Sequence, residues 1–239
     1  MDYLASFMRY EIKYIISREQ KERLLGIMED YMKPDEFGHT EIRNIYYDTP
    51  DFRLVRRSRE KPVYKEKLRI RSYGKPAPGG KVFVELKKKY NSVVYKRRTA
   101  MSLSDALSFV SGNMIVSGDS QIEKEIGSFI KFYRSLRPAA YLSYERDSFF
   151  GKNDDGFRIT FDENILGRTY DISLTSDAGG EALIDSGSVL MEVKCDGALP
   201  LWLVRFLSSE HIYQTSFSKY GEAYEKLIYR NDIGRKIYA

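Results

Sequence analysis

Along most of the 239-residue chain, apolar and polar side chains change places at every second position, as in strands whose two faces meet different surroundings. Eight segments carry this alternation: 9–16 (RYEIKYII), 42–48 (IRNIYYD), 64–72 (YKEKLRIRS), 81–88 (KVFVELKK), 92–99 (SVVYKRRT), 139–149 (AAYLSYERDSF), 156–163 (GFRITFDE) and 189–195 (VLMEVKC). The stretch 74–80 (GKPAPGG) predicts a turn, and so an antiparallel hairpin of 64–72 with 81–88. Ser17 and Gln20 have capping-box spacing and open a helix that runs to about Met32 and stops near Pro34. Ser102 or Ser104 caps a helix near 103–111, and 120–137 reads as a helix ending before Pro138. Pro200 and Ser218 begin helices near 200–209 and 218–229, and the Gly/Ser/Asp-rich residues 176–188 read as a loop. No repeat or low-complexity linker breaks this order, so 1–239 reads as one domain.

Sorted by parity, each strand has one apolar and one charged face. Val82, Val84 and Leu86 oppose Glu85 and Lys87; Phe157, Ile159 and Phe161 oppose Arg158, Thr160 and Asp162. Met191, Val193 and Cys195 oppose Glu192 and Lys194, while Tyr10, Ile12, Tyr14 and Ile16 oppose Glu11 and Lys13. In 64–72, Leu68 and Ile70 oppose Lys65, Lys67, Arg69 and Arg71. A half-exposed sheet gives the same alternation, with the charges in water. Two features favour the reverse. The amphipathic helices need apolar surfaces to cover, and covering the sheet from outside turns its charged face inward. In addition, Glu-x-Lys occurs at Glu11–Lys13, Glu85–Lys87 and Glu192–Lys194, and places a carboxylate and an ammonium on one face about 7 Å apart.

The fold expected from this is α+β: an eight-stranded antiparallel β-barrel with helices packed outside, closure removing the exposed edges. Inward cations such as Arg69 and Arg71 then require a wet interior and a compensating anion. Carboxylates there suit a hard divalent cation, and Arg and Lys suit phosphate oxygens.

Composition adds little to this. Lys plus Arg (39) exceeds Asp plus Glu (34), a net charge of +5 that weakly favours an anionic partner. The single cysteine, Cys195, excludes a disulfide framework and a thiolate zinc cluster, and two histidines are too few for a His-rich metal site. No apolar run of about 18 residues predicts a transmembrane helix. The early charges of MDYLASFMRYEIK do not form a signal peptide, so the expected location is cytoplasmic. Several residues have plain structural readings. Asp48-Thr49-Pro50-Asp51 reads as a strand exit and helix cap, Asp154-Asp155-Gly156 as a turn rather than a calcium loop, and Cys195 as an apolar-face residue. Trp202 reads as the anchor of its helix, and Tyr46, Tyr47 and Tyr144 as structural rather than as stacking platforms, so nucleic acid is not an expected partner.

Eight motifs in order, RYEIKY (9–14), NIYYDTPDF (44–52), KLRIRSYG (67–74), FVELKK (83–88), YERDSFF (144–150), FRITFDENI (157–165), LMEVK (190–194) and FSKYGEA (217–223), resemble the triphosphate tunnel metalloenzymes, and within them the VTC domain of polyphosphate polymerases. The resemblance spans nearly the whole chain. It implies an eight-stranded tunnel that binds a triphosphate with a divalent metal, Mn²⁺ or Mg²⁺. Lys13, Arg69, Arg71, Lys87, Arg146, Arg158 and Lys219 would be the catalytic cations. Lys96, Lys194, Ser218, Glu11 and Glu85 would complete the substrate-binding lining, and Glu192 would be the principal metal ligand. Arg9 stands where the thiamine-triphosphatase and adenylate-cyclase branch has a first glutamate, which resembles the polymerase branch. The activity implied is transfer of the γ-phosphate of ATP to polyphosphate or pyrophosphate. The alternatives are a triphosphatase of the same fold and a non-catalytic polyphosphate- or nucleotide-binding module. The larger eukaryotic polymerases carry a phosphate-sensing domain and a membrane anchor for which this chain has no room, so any membrane role would fall to a partner.

Overall fold

The computed structural model describes residues 10–91, 93–113, 120–154 and 156–230; Arg9, Ser92 and Asp155 lie outside them. In chain order the elements are β1 (Tyr10–Ser17), α1 (Arg18–Tyr31), β2 (Met32–Pro34), β3 (Thr40–Asp48), α2 (Arg53–Arg59), β4 (Tyr64–Tyr73), β5 (Lys81–Tyr90), β6 (Val93–Ser102), α3 (Leu103–Val110), α4 (Gln121–Tyr133), β7 (Arg137–Gly151), β8 (Arg158–Arg168), β9 (Glu181–Ala182), β10 (Ser188–Cys195), α5 (Leu201–Ser209), β11 (Gln214–Thr215) and α6 (Lys219–Ala223), which runs on as a π-helical segment, Tyr224–Tyr229.

The eight long strands fall on the eight alternating segments, but the sheet is not the closed eight-stranded barrel expected. Among the described residues it has eleven strands in the order β11-β1-β10-β8-β7-β3-β4-β5-β6, with β2 on β7 and β9 on β8, and β11 and β6 at the two ends do not pair. The three additions are two or three residues long. Segments that short have no period to read, and alternation specifies faces rather than closure. The helix 120–137 is also shorter than expected. It ends at Tyr133, Arg134 takes a left-handed φ of 56°, and β7 already includes Pro138.

The described residues group into two compact units. One lies within Met1–Thr40, Glu145–Asn164 and Ile184–Phe217, the other within Glu41–Tyr144, Ile165–Leu183 and Ser218–Ala239. In the first, the apolar faces of β1 (Tyr14, Ile16), β8 (Phe157, Ile159, Phe161) and β10 (Val189, Met191, Val193) pack under α1 and α5 through Leu24, Met28, Leu203 and Phe206. Trp202 packs against the same core and stacks on Tyr31 at 4.9 Å. The Ser17 capping box is complete: its hydroxyl accepts from Gln20 N, and the Gln20 side chain accepts from Ser17 N.

In the second unit, Leu68 and Ile70 of β4 and Val82, Val84 and Leu86 of β5 pack under Leu54 of α2, Phe109 of α3 and Ile126 and Phe129 of α4. α2 has no capping side chain at Phe52, its adjoining residue, which takes a left-handed φ of 57°. Asp48 does that work from the end of β3. Its Oδ1 accepts from Leu54 N at 2.8 Å, and its Oδ2 accepts from Val55 N at 3.0 Å and from the Tyr220 hydroxyl at 2.9 Å. Thr49 N also donates to Oδ1, so Asp48→Ala leaves four buried donors without that acceptor and is expected to cost about 2 kcal/mol or more in urea unfolding; a loss below about 0.5 kcal/mol would show that water replaces the carboxylate.

In both units the helices cover the apolar strand faces. Much of the opposite faces is covered too: Glu85, Arg71, Asn44, Thr160, Asp162 and Glu192 are buried, as is Lys219 of α6.

Candidate functional site

Strand register in the second unit arranges the charged face in cross-strand rows. Tyr46, Arg69, Glu85 and Arg98 lie side by side on β3, β4, β5 and β6. One row along, Lys67, Lys87 and Lys96 face one another across β4, β5 and β6. On the other side, Asn44 pairs with Arg71.

Glu85 is the hub. It is 1% exposed. Its Oε2 accepts from Arg69 Nε at 2.8 Å and pairs with Arg69 Nη2 at 2.7 Å; its Oε1 pairs with Lys96 Nζ at 2.7 Å and Arg98 Nε at 3.4 Å. Arg71 Nε stands 3.8 Å away. Burial pushes the Glu85 carboxyl up, but Arg69, Arg71 and Lys96 outweigh it and hold the group well below the usual carboxylate range. Burial also lowers the Lys96 ammonium, and Arg69 and Arg71 add to that, against Glu85. For Arg69 the balance runs the other way: burial lowers it, but Tyr46 and Glu85 raise it further, so it stays a cation.

The phenols take part. Arg69 Nη1 donates to the Tyr46 hydroxyl at 2.9 Å, and Arg71 donates from Nε to Asn44 Oδ1 at 3.0 Å and from Nη2 to the Tyr144 hydroxyl at 3.1 Å. Burial raises the Tyr46 phenol, but Arg69, Arg71 and Lys219 bring it below its ordinary value. Lys219 Nζ lies 4.6 Å over the Tyr144 ring. Ser218 caps α6 through Gly221 N and accepts from Lys67 Nζ at 2.7 Å. One unit thus carries Arg69, Arg71, Glu85, Lys87, Lys96, Ser218 and Lys219 of the sequence-derived set.

The first unit carries the rest. Lys13 lies opposite Glu192, and Glu11 opposite Lys194. Lys13 Nζ is 3.3 Å from Glu11 Oε1 and 3.4 Å from Glu192 Oε1, and donates to the Phe217 carbonyl at 3.1 Å. Arg146 grips Asp162 with a fork of 2.5 and 2.6 Å and reaches Glu192 Oε2 at 3.5 Å. Arg158 shares a strand face with these groups and lies opposite Lys194, but its Nη2 donates to Asp35 Oδ2 at 3.1 Å.

A divalent cation can be tested against these donors. Among the described residues, no three or more His, Cys, Asp or Glu side chains group closely enough to hold a metal ion. Glu11 and Glu192, drawn together on one ammonium, supply two carboxylates. That does not suffice for an all-protein cage, but it fits an Mg²⁺-like ion that keeps water and phosphate oxygens as its other ligands.

Sequence reasoning missed Asp162, Asn44, Arg98 and the hydroxyls of Tyr46 and Tyr144. Tyr46 and Tyr144 read as structural because their neighbours in sequence are apolar; the signal lay in parity, which puts Asn44 with Tyr46, and Arg158 with Asp162.

The fold is that of several solved structures. An adenylate cyclase candidate from Bacillus halodurans superposes with a TM-score of 0.54 at 16% identity, covering 88% of this chain and 95% of its own. An adenylyl cyclase candidate from Hippeastrum with a dominant triphosphatase activity gives 0.56 at 16% identity, covering 92% and 97%. No curated protein matches the sequence. The family is settled by residues 8–228, which match the VTC domain: the chain belongs to the VTC domain family.

Proposed function

We propose that the protein is a metal-dependent polyphosphate polymerase that transfers the γ-phosphate of ATP to the end of a polyphosphate or pyrophosphate acceptor. The observation that carries this reading is the lysine row Lys67, Lys87, Lys96 beside Arg69 and Arg71. Like charges set opposite one another across strands destabilise a sheet, and a chain of phosphates removes that cost.

In the transfer, an oxygen of the acceptor's terminal phosphate attacks the γ-phosphorus, the bond to the β-phosphate bridging oxygen breaks, and ADP leaves with that electron pair. The attacking oxygen is already anionic, so no proton has to be removed. Catalysis is then positioning and charge stabilisation. Arg69 and Arg71 hold phosphate oxygens by forked hydrogen bonds, with their planes fixed by Glu85, Tyr46, Asn44 and Tyr144. Lys67, Lys87 and Lys96 screen repulsion between donor and acceptor. Lys13, Arg146, Lys194 and Lys219 are assigned to phosphate, and Arg158 as well once it leaves Asp35. Glu192, with Glu11, would hold an Mg²⁺ or Mn²⁺ ion, whose contribution when bound is to neutralise phosphate charge.

Hydrolysis of a triphosphate is the second reading, supported by the triphosphatase activity of the Hippeastrum protein with this fold. A carboxylate base would suit that reaction. Glu85 is a poor base because its cations lower its affinity for a proton, and Glu11 and Glu192 are engaged by Lys13. The deciding experiment incubates the protein with ATP and Mn²⁺ or Mg²⁺, with and without a short phosphate primer, and resolves the products on a gel. A ladder of long chains supports the polymerase, and free phosphate alone overturns it in favour of hydrolysis. Glu192→Gln is expected to raise the metal concentration needed for half-maximal turnover by about ten-fold or more; an unchanged titration would remove Glu192 from the metal's ligands.

A further inference from the structure

Helix α2, RLVRRSR, carries four arginines in seven residues. Leu54, Val55 and Ser58 are buried, with Leu54 in the core beneath β4 and β5, while Arg53, Arg56, Arg57 and Arg59 are exposed. Two of the four have carboxylate partners: Arg56 stands 3.8 Å from Asp51, and Arg59 pairs with Glu225. Arg53 lies over the Tyr133 ring at 5.8 Å, and Arg57 has neither a hydrogen bond nor an ion pair among the described residues. Arg53 and Arg57 are four residues apart, so they project from one side of the helix.

These two arginines line a narrow cleft with Tyr64, Lys65, Glu66 and Tyr133. Its one carboxylate, Glu66, already accepts hydrogen bonds from the Tyr64 and Tyr133 hydroxyls. The cleft therefore presents an excess of positive charge. Period two puts Lys65 on the face of Lys67, Arg69 and Arg71, opposite the one α2 covers, but at the start of β4 it also lines this cleft, so it is the cation at which the charged face and the α2 side meet.

We propose that α2 is a second polyanion-binding surface, on which Arg53 and Arg57 hold the part of an inorganic polyphosphate chain that extends past Lys65. This rests on the polyphosphate reading above. Phosphate oxygens match the guanidinium fork. An acidic protein would need a buried apolar or aromatic anchor, and every exposed side chain of α2 is an arginine. A nucleic acid would need open aromatic faces, whereas the Tyr133 ring is packed against Phe129, Phe132 and Arg53.

The test compares the whole chain with the double variant Arg53→Glu/Arg57→Glu. Binding of long-chain polyphosphate, of tripolyphosphate and of a single-stranded RNA is measured over a range of salt. The variant is expected to bind long-chain polyphosphate about ten-fold or more weakly. Its slope of log affinity against log salt should be shallower by about 1.4, as for two lost phosphate contacts on a flexible chain. Tripolyphosphate affinity and ATP turnover should stay as in the parent. Arg53→Gln/Arg57→Gln, which removes charge without reversing it, supplies the same comparison if the reversal fails to fold. Unchanged long-chain affinity and slope would overturn the proposal, as would equal losses for tripolyphosphate and the long chain. RNA bound more tightly than polyphosphate through the same arginines would reassign the surface to nucleic acid. Failure of the parent to bind tripolyphosphate would instead count against the polymerase reading, and the long-chain comparison would still test α2.

Discussion

Glu85→Gln is expected to lower the stability of the ligand-free protein by about 3–5 kcal/mol, the cost of removing one partner from a buried ion pair. The carboxylate is buried, and the substitution keeps its shape but removes its charge. Arg69 and Lys96 lose partners at 2.7 Å, and Arg71 and Arg98 lose the anion between them. Lys96 and Arg98 keep contact with water, which places the loss toward the lower end. Urea unfolding measures it. Tripolyphosphate should stabilise the variant more than the parent, because the added anion takes over the missing charge. A loss under about 1 kcal/mol, with equal stabilisation of both proteins, would remove Glu85 from its role as hub.

The same residue sets an acid dependence. Its folded pKa is depressed, so the folded state binds this proton more weakly than the unfolded chain. The stabilisation is then complete above the ordinary value of 4.5 and is lost as pH falls through the folded value. The stability gap between parent and Glu85→Gln should therefore be widest near about pH 6 and narrow steadily below about pH 4.

Arg69→Ala is expected to lower ATP-dependent turnover by ten-fold or more, since a charged hydrogen bond to phosphate is worth about 1.5–3 kcal/mol. The variant should still unfold in one cooperative step, because Glu85 retains Lys96 and Arg98. Arg71 separates activity from architecture less cleanly. It is buried, and it ties Asn44 to Tyr144, so Arg71→Ala should lose stability together with turnover. Turnover and urea unfolding measured on both variants distinguish the two cases. Full turnover in a folded Arg69→Ala protein would mean that the β4 arginines do not hold the reacting phosphates.

The long strands, the main caps and the two-faced character of the sheet were legible in the sequence because each rests on local spacing. Leu68 and Ile70 against Lys67 and Arg69 already state which face helices cover. What spacing could not supply was register. Nothing near Lys87 in sequence says that Lys67 and Lys96 stand beside it, or that Arg98 shares Glu85 with Arg69. α2 was half legible: Asp48-Thr49-Pro50-Asp51 read as a strand exit and helix cap, and Asp48 does cap α2, but the helix itself went unread because it is seven residues long and its adjoining residue has left-handed backbone. The resemblance implied a phosphate role for Arg158, but Asp35, on a loop with no periodic signal, accepts from its guanidinium.

The two-faced strands also limit where this chain can change length. In β4, Leu68 and Ile70 fill the core under α2 and α4, while Lys67, Arg69 and Arg71 stand in the charged rows. One residue inserted near Lys67 would send every following side chain to the other face, driving guanidinium groups into the core and leucine into the rows. Natural variants of the domain should therefore differ in length at turns such as 74–80, where Gly74 and Gly79 hold left-handed backbone, while the spacing from Lys65 to Arg71 stays fixed even where the residues themselves are exchanged.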